Sequence, residues 1–405
     1  MRSVEEHLQA VLAGVVPLSP LDLPLLEGRA CVLAEDVPAP WPLPAFDTTT
    51  VDGYAVRSTD LLAASDGKPT PLHVIDDVPA GYRASVALEA GQAIRLATGA
   101  PIPDGADTVV ALDGTDGGSS EVLVSRSVPA GENIRRRGDD VPLGAIVARA
   151  GSVLGPRETA LLAAVGRGRV SVHPRPRVVV ISVGDELVEP GGPLSPGLVP
   201  DANGVAIASA VEDSGAIAYR VGPLPSDADI VRAALEDQLV RADLVVTTGG
   251  VSASAYDTVK QVLTSLGDVE FTKVAMTPGT PQAHGTLGPD HTPIFTLPGN
   301  PVSAYVSFEV FVRPVIRRML GHERIYRPVV RAVLVEPLPS PDGRRQFARG
   351  HLEVEDGRYV VRPAVSQGAH MLGGLAAANA LVVVPEDVTE VRPGTAVAVL
   401  RLDED

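Results

Sequence analysis

The spacing of apolar and polar positions changes character several times along the chain. At residues 3–15, Val4, Leu8, Val11, Leu12 and Val15 fall on one helical face, and Ser3 with Glu6 makes a capping box, which predicts an amphipathic packing helix. Residues 17–44 are rich in Pro and Leu without a period and read as extended, irregular chain. From 45 to 144, short apolar runs (Leu72–Ile75, Ala93–Leu96, Thr108–Leu112, Val122–Val124) are separated by Gly, Pro and Asp, the signature of a small β domain built from turns. Helical periodicity returns over 145–170, including Arg157–Val165.

Residues 176–320 alternate between two periods. Arg177–Ser182, Ala216–Val221, Leu244–Thr247, Val269–Val274 and Pro293–Leu297 read as strands. Between them lie helices capped at Asn203, at Ser226 or Asp227, over Asp257–Leu266, and from Asn300 with Pro301 at the first position, running to about Leu320. Such alternation predicts a parallel sheet with helices on both faces. Residues 328–405 show short strands and no long helix, so a C-terminal β domain is expected.

Length and charge narrow the classes. At about 150 residues per domain, 405 residues imply two to four domains. The net charge of −16 gives no global attraction to nucleic acid or anionic membrane. No apolar run is long enough to span a bilayer. Arg2, Glu5, Glu6 and His7 make the N-terminus too charged for a signal peptide. The single cysteine, Cys31, excludes an internal disulfide and argues against a zinc–thiolate site. A cytoplasmic protein is the expectation.

Ligands of an open parallel sheet bind outside the carboxyl ends of its strands. Here those ends carry Gly184-Asp185-Glu186, Gly249-Gly250-Val251-Ser252 and Pro298-Gly299-Asn300-Pro301. Glycine turns let a ligand approach the backbone, and a helix opening at Pro301 would aim N–H groups at an anion. Asp185, Glu186 and Asp257 are oxygen ligands suited to Mg²⁺, which brings phosphate oxygens with it. The set predicts a phosphate-bearing ligand with a divalent metal. Arg135-Arg136-Arg137, followed by Asp139-Asp140, reads either as an anion neutraliser or as a salt-bridged surface turn. P-loop, nucleophile-elbow and zinc spacings do not occur.

Several segments resemble the MoeA/gephyrin E-domain family: Leu43-Pro44-Ala45-Phe46-Asp47 through Val51-Asp52-Gly53-Tyr54-Ala55-Val56-Arg57; Thr98-Gly99-Ala100-Pro101-Ile102-Pro103; Gly131-Glu132-Asn133-Ile134-Arg135-Arg136-Arg137-Gly138-Asp139-Asp140; and Gly343-Arg344-Arg345-Gln346-Phe347. The resemblance implies a multidomain α/β plus β fold in four parts. These are a discontinuous elongated dimerisation domain (1–44 and 145–172), a small β domain (45–144), a central parallel-sheet α/β domain (173–326) and a C-terminal β domain (327–405). Enzymes of this family insert molybdate into adenylylated molybdopterin with Mg²⁺ and release AMP. Their site lies between the sheet domain of one subunit and the small β domain of the other subunit of a homodimer. Carried over by motif, Asp52, Thr98, Asp140, Glu186, Asp227 and Asp257 are the implied catalytic positions. Asp185, Gly249, Gly250, Ser252, Pro298, Gly299, Asn300 and Pro301 are the implied binding positions, with Glu186, Asp257 and Asp227 at the metal.

The chain departs from the family where enzymes usually read Lys-Pro-Gly-Lys-Pro, since it has Thr277-Pro278-Gly279-Thr280-Pro281. Ala369 replaces a usual serine, and only three of the 34 basic residues are lysines. Arg345 or Arg349 is where the lost charge could have been relocated. Other members of the family are scaffolds, among them an actinobacterial branch that binds the C-terminal tail of the division protein FtsZ. The opening Met1-Arg2-Ser3-Val4-Glu5-Glu6, the arginine-rich composition and the missing lysines resemble that branch.

Overall fold

A computed structural model describes residues 1–249 and 253–403, the side chains of residues 253–258 excepted. The chain divides into two compact units: Met1–Leu21, Ala30–Ala34 and Ser171–Asp405 form one, and Asp22–Arg29 with Glu35–Val170 the other. Helix α1 (Val4–Leu12) belongs to the first. Its predicted capping box is present, with the Glu6 amide donating to the Ser3 hydroxyl (3.1 Å) and the Ser3 amide to Glu6 Oε2 (2.8 Å). Val4, Val11 and Leu12 are buried, as the periodicity requires.

The second unit is organised around a five-stranded sheet of β1 (Gly53–Val56), β2 (Thr70–Val78), β3 (Gln92–Leu96), β4 (Thr108–Ala111) and β5 (Glu121–Val124), in the order β4-β1-β3-β2-β5. Only the β2–β3 pair is parallel. Strand β1 escapes the sequence pattern because it is short and all four of its residues are buried, so it shows no alternation. Helix α2 (Pro156–Ala164) follows in the same unit.

The first unit contains the alternating domain. Its strands are β6 (Arg177–Val183), β7 (Ile217–Leu224), β8 (Leu244–Gly249), β9 (Gly267–Lys273), β10 (Pro281–Leu287) and β11 (Thr292–Leu297), in the order β7-β6-β8-β11-β10-β9. The first four in that order are mutually parallel, and β10 runs antiparallel between β11 and β9. The expected all-parallel sheet is therefore mixed. Strand β10, sequence Pro-Gln-Ala-His-Gly-Thr-Leu, was not expected, since Pro, His and Gly give it little strand propensity. It forms because a tight turn through His291 folds it back on β11.

Strand β6 explains why the sheet needs helices on both faces. Val178 and Val180 join one core with α1, while Val179, Ile181 and Val183 join the other. The first core also takes residues of α3 (Ala202–Asp213), α6 (Pro301–Ser307) and α7 (Arg313–Met319). The second takes α4 (Ala228–Leu239) and α5 (Ala253–Leu266). The long helix expected from Asn300 to Leu320 is interrupted by a π turn at Phe308–Val312. Pro314 supplies the reason: it has no N–H for the helical ladder, and its ring crowds the carbonyl one turn back.

The C-terminal segment forms β12 (Val329–Leu334), β13 (Arg345–Glu355), β14 (Arg358–Pro363), β15 (Ala380–Val384) and β16 (Ala396–Arg401). The order β13-β14-β12-β16-β15 closes through a β13–β15 pairing, which leaves no free edges. No helix among the described residues is long and apolar enough to cross a membrane.

Candidate functional site

The carboxyl ends of β6, β8 and β11 lie side by side in the sheet, so the residues that open the three predicted turns share one edge. After β6, Asp185 Oδ1 accepts the Ser226 amide (2.9 Å), which ties this turn to the start of α4. Glu186 folds its carboxylate back toward Gly184 and makes no hydrogen bond or ion pair among the described residues. Asp227 caps α4, with Oδ1 accepting the amides of Asp229 (3.0 Å) and Ile230 (3.1 Å). Its second carboxylate oxygen stays free of that duty. Of the two caps considered, Asp227 is the one used.

Gly249, at the end of β8, has φ +86°, and a Cβ there would lie 2.2 Å from the Val183 carbonyl oxygen. Only glycine lets these two strand ends approach so closely. Gly250 and Ser252 lie outside the described residues, as does the side chain of Asp257. After β11, Pro298 is buried, Gly299 partly buried and Asn300 exposed. Asn300 is the N-cap of α6 by position, without a side-chain cap bond. One of the N–H groups expected at the start of this helix is taken by another segment. Proline has none, the Val302 amide donates to the Ala369 carbonyl (3.0 Å), and the Ala304 amide donates to Asn300 (2.9 Å).

A buried polar network behind this edge was not read from the sequence. Asp201, fully buried, caps α3 in place of the expected Asn203. Its Oδ1 accepts from Ser182 Oγ (2.9 Å) and the Gly204 amide (2.8 Å), and Oδ2 accepts from Arg220 Nη2 (3.0 Å). Arg220 also grips Glu189 bidentately (2.6 and 2.7 Å). The Glu189 bond, then that to Asp201, raises the Arg220 pKa, and the same pairing holds the Glu189 carboxyl below its usual range. At Gly204 a Cβ would meet Asp201 Oδ2 at 2.2 Å, so the cap requires glycine there. Asn203 instead donates from Nδ2 to the Gly299 carbonyl (2.6 Å), while its Oδ1 is buried with no partner among the described residues. It links α3 to the Pro298–Pro301 turn. The signal available in sequence was the acidic residue two positions ahead of Asn203.

The remaining predicted positions lie in the other unit. Asp52 Oδ1 accepts from both the amide and the hydroxyl of Thr98, each at 2.7 Å. The Thr98 amide, then its hydroxyl, lowers the Asp52 pKa and keeps it ionised. Asp140 pairs with Arg135 (3.0 Å), and Arg136 pairs with Asp47 (2.8 Å). The Arg137 amide, then the Arg136 guanidinium, holds the Asp47 carboxyl below its usual range. The arginine run is thus a salt-bridged turn at two of its three positions.

At the lysine-poor loop, Thr280 Oγ1 donates to the Met276 carbonyl (2.9 Å). Met276–Thr277 pairs in parallel with Arg345–Gln346. Arg345 is nevertheless engaged by Glu5 and by Glu386 (3.1 Å). Arg349 is buried against main-chain carbonyls. Neither arginine replaces the absent cations.

Among the described residues, no group of three or more His, Cys, Asp or Glu is placed to hold a metal ion. Mg²⁺ commonly takes only one or two carboxylates and completes its shell with water and substrate phosphates. The unpartnered Glu186 carboxylate and the free oxygen of Asp227 are donors of that kind.

The architecture defines a multidomain protein with a mixed α/β sheet domain, a small β domain and a closed C-terminal β domain. Residues 2–166 match the MoeA N-terminal region (domain I and II), 179–318 a probable molybdopterin binding domain, and 331–402 the MoeA C-terminal region (domain IV). A curated relative from Mycobacterium tuberculosis (strain ATCC 25618 / H37Rv), molybdopterin molybdenumtransferase 2, is 44% identical over 99% of this chain and 100% of its own. The molybdopterin molybdenumtransferase of Bacillus subtilis (strain 168) is 34% identical over 92% of this chain and 87% of its own. The crystal structure of a molybdopterin biosynthesis MoeA protein from Pyrococcus horikosii superposes with a TM-score of 0.84 at 32% identity, covering 100% of this chain and 99% of that one. The chain belongs to the MoeA family of molybdopterin molybdenumtransferases.

Proposed function

We propose that this protein acts in molybdenum cofactor biosynthesis, inserting molybdate into adenylylated molybdopterin with release of AMP. The observation that carries the reading is that β6, β8 and β11 end side by side at one sheet edge, where the Glu186 carboxylate after β6 has no partner among the described residues. In this reading the chain works as a homodimer with the division 1–44 with 145–172, 45–144, 173–326 and 327–405. Glu186, Asp257 and Asp227 would hold Mg²⁺, and Asp185 fixes the turn that presents Glu186. A divalent cation held by these carboxylates would supply charge neutralisation for substrate phosphate oxygens. Gly249, Gly250 and Ser252 line the adenylate phosphate, and Pro298, Gly299, Asn300 and Pro301 form the adjoining wall. Asp52, oriented by Thr98, and Asp140 reach the pterin from the partner subunit. Purified protein given adenylylated molybdopterin, molybdate and Mg²⁺ is expected to release AMP at micromolar enzyme. Absence of turnover there, together with failure to restore nitrate reductase activity in a strain lacking the insertion step, overturns the reading.

A second reading is a scaffold that binds the FtsZ C-terminal tail and serves cell division. It is favoured by threonine at both usual lysine positions, with Arg345 and Arg349 committed to other partners. A groove of about 420 Å³, lined by Ala206, Asp213, Tyr305, Leu372, Leu375 and Leu402, offers a seat for an extended peptide. Calorimetry with the tail peptide decides: no heat at high peptide concentration removes the scaffold role.

A further inference from the structure

Arg349 lies in β13 with 1% of its surface exposed, yet pairs with no carboxylate among the described residues. A buried cation without a counter-ion must have its donors satisfied some other way. Here the guanidinium serves the segment 366–371: Nη1 donates to the Met371 carbonyl (2.6 Å), and Nη2 to the carbonyls of Ser366 (2.8 Å) and Gly368 (3.1 Å). The Arg349 main chain is tied to the same segment. Its amide donates to Gln367 Oε1 (2.9 Å), its carbonyl accepts from Gln367 Nε2 (3.0 Å), and the Ala364 amide donates to that carbonyl (2.8 Å). Burial pushes the guanidinium pKa down. A planar fork of donors can satisfy three carbonyls at once, which a single ammonium nitrogen does poorly.

The segment so held also reaches α6. The Ala369 carbonyl accepts the Val302 amide at 3.0 Å, in the first turn of α6, directly after Pro298-Gly299-Asn300-Pro301. On its other side that turn is held by Asn203 through the Gly299 carbonyl. We infer that Arg349 is a positioning residue for the Pro298–Pro301 turn, acting through the carbonyls of 366–371 and the Ala369–Val302 bond. It is not an anion-binding residue, since its donors face protein carbonyls. Only the kinetic consequence of this role rests on the molybdenum-transfer reading.

The test uses the full chain and two variants, Arg349→Lys, which keeps the charge, and Gln367→Met, which keeps the volume and removes the ties to the Arg349 main chain. In both, exchange of the Val302 amide is expected to accelerate at least about tenfold, while the core amides of Val179 and Val180 stay at wild-type rates. The KM for adenylylated molybdopterin is expected to rise by a similar factor, with a smaller change in kcat. Folded variants with wild-type Val302 exchange overturn the inference. So does acceleration of Val302 together with Val179 and Val180, because that marks global destabilisation alone. If the wild-type chain releases no AMP, the transferase reading falls, and the exchange of Val302 by itself decides the positioning role.

Discussion

At the Thr277–Thr280 loop the side chain of Thr280 is satisfied from within, by the Met276 carbonyl, and Arg345 and Arg349 are committed elsewhere. A charge-assisted hydrogen bond contributes about 1.5–3 kcal/mol, so two missing lysines weaken oxyanion binding by orders of magnitude. The paired Thr277→Lys, Thr280→Lys variant is therefore expected to lower the molybdate concentration giving half-maximal AMP release by at least about tenfold. An unchanged requirement would show that the oxyanion is held elsewhere. Gly249→Ala tests the close approach of β8 to β6. Positive φ costs about 1–2 kcal/mol for an L-residue, and the contact with the Val183 carbonyl adds to it. A loss of more than about 2 kcal/mol is expected in urea unfolding. Both positions were legible in the sequence as departures or turns. Asp201 was not, because a buried carboxylate and a solvated one look alike until its partners Ser182 and Arg220 are placed around it.

At the scale of elements, α1 depends on a histidine that carries no charge in the fold. His7 is buried between His284 and Phe311, with ring centroids 4.9 and 4.6 Å away, and its Nδ1 has no partner among the described residues. Desolvation, then the nearby His284 and Arg2, pushes the His7 pKa down to about 3 from 6.5, against the opposing pull of Glu270. Since the unfolded chain binds the proton more readily, stability is full above pH 6.5 and falls as the pH drops toward 3. One such group contributes a slope of up to about 1.4 kcal/mol per pH unit in that window. His7→Phe is expected to flatten this part of the stability–pH curve measured by urea unfolding. An unaltered slope would assign it to other groups. The amphipathic pattern predicted α1 with its cap, and the sequence also pointed to the four parallel strands. Strand β10 and the π turn needed tertiary partners: β10 exists by pairing with β11 and β9, and the π turn by the misfit of Pro314.

For the whole molecule, the proposed site draws Glu186 and Asp227 from one compact unit and Asp52 and Asp140 from the other, which the dimer reading assigns to different subunits. Sedimentation equilibrium is accordingly expected to give twice the 42.0 kDa chain mass at micromolar concentration. Specific activity should fall on dilution into the range where the dimer dissociates. A monomer with concentration-independent activity would contradict the shared site.

The sequence by itself determined the fold class, the strand-end turns and the family. Apolar periodicity reports which face of each element is buried, and glycine turns and short motifs are local signals. Only the tertiary structure decided which polar groups remain available for chemistry. It placed Asp201, Arg345 and Arg349 in internal networks, took the Val302 amide out of play, and left Glu186 without a partner among the described residues. A side chain's partners come from segments far apart in the chain, and burial sets how strongly it must be satisfied; neither is encoded in local spacing.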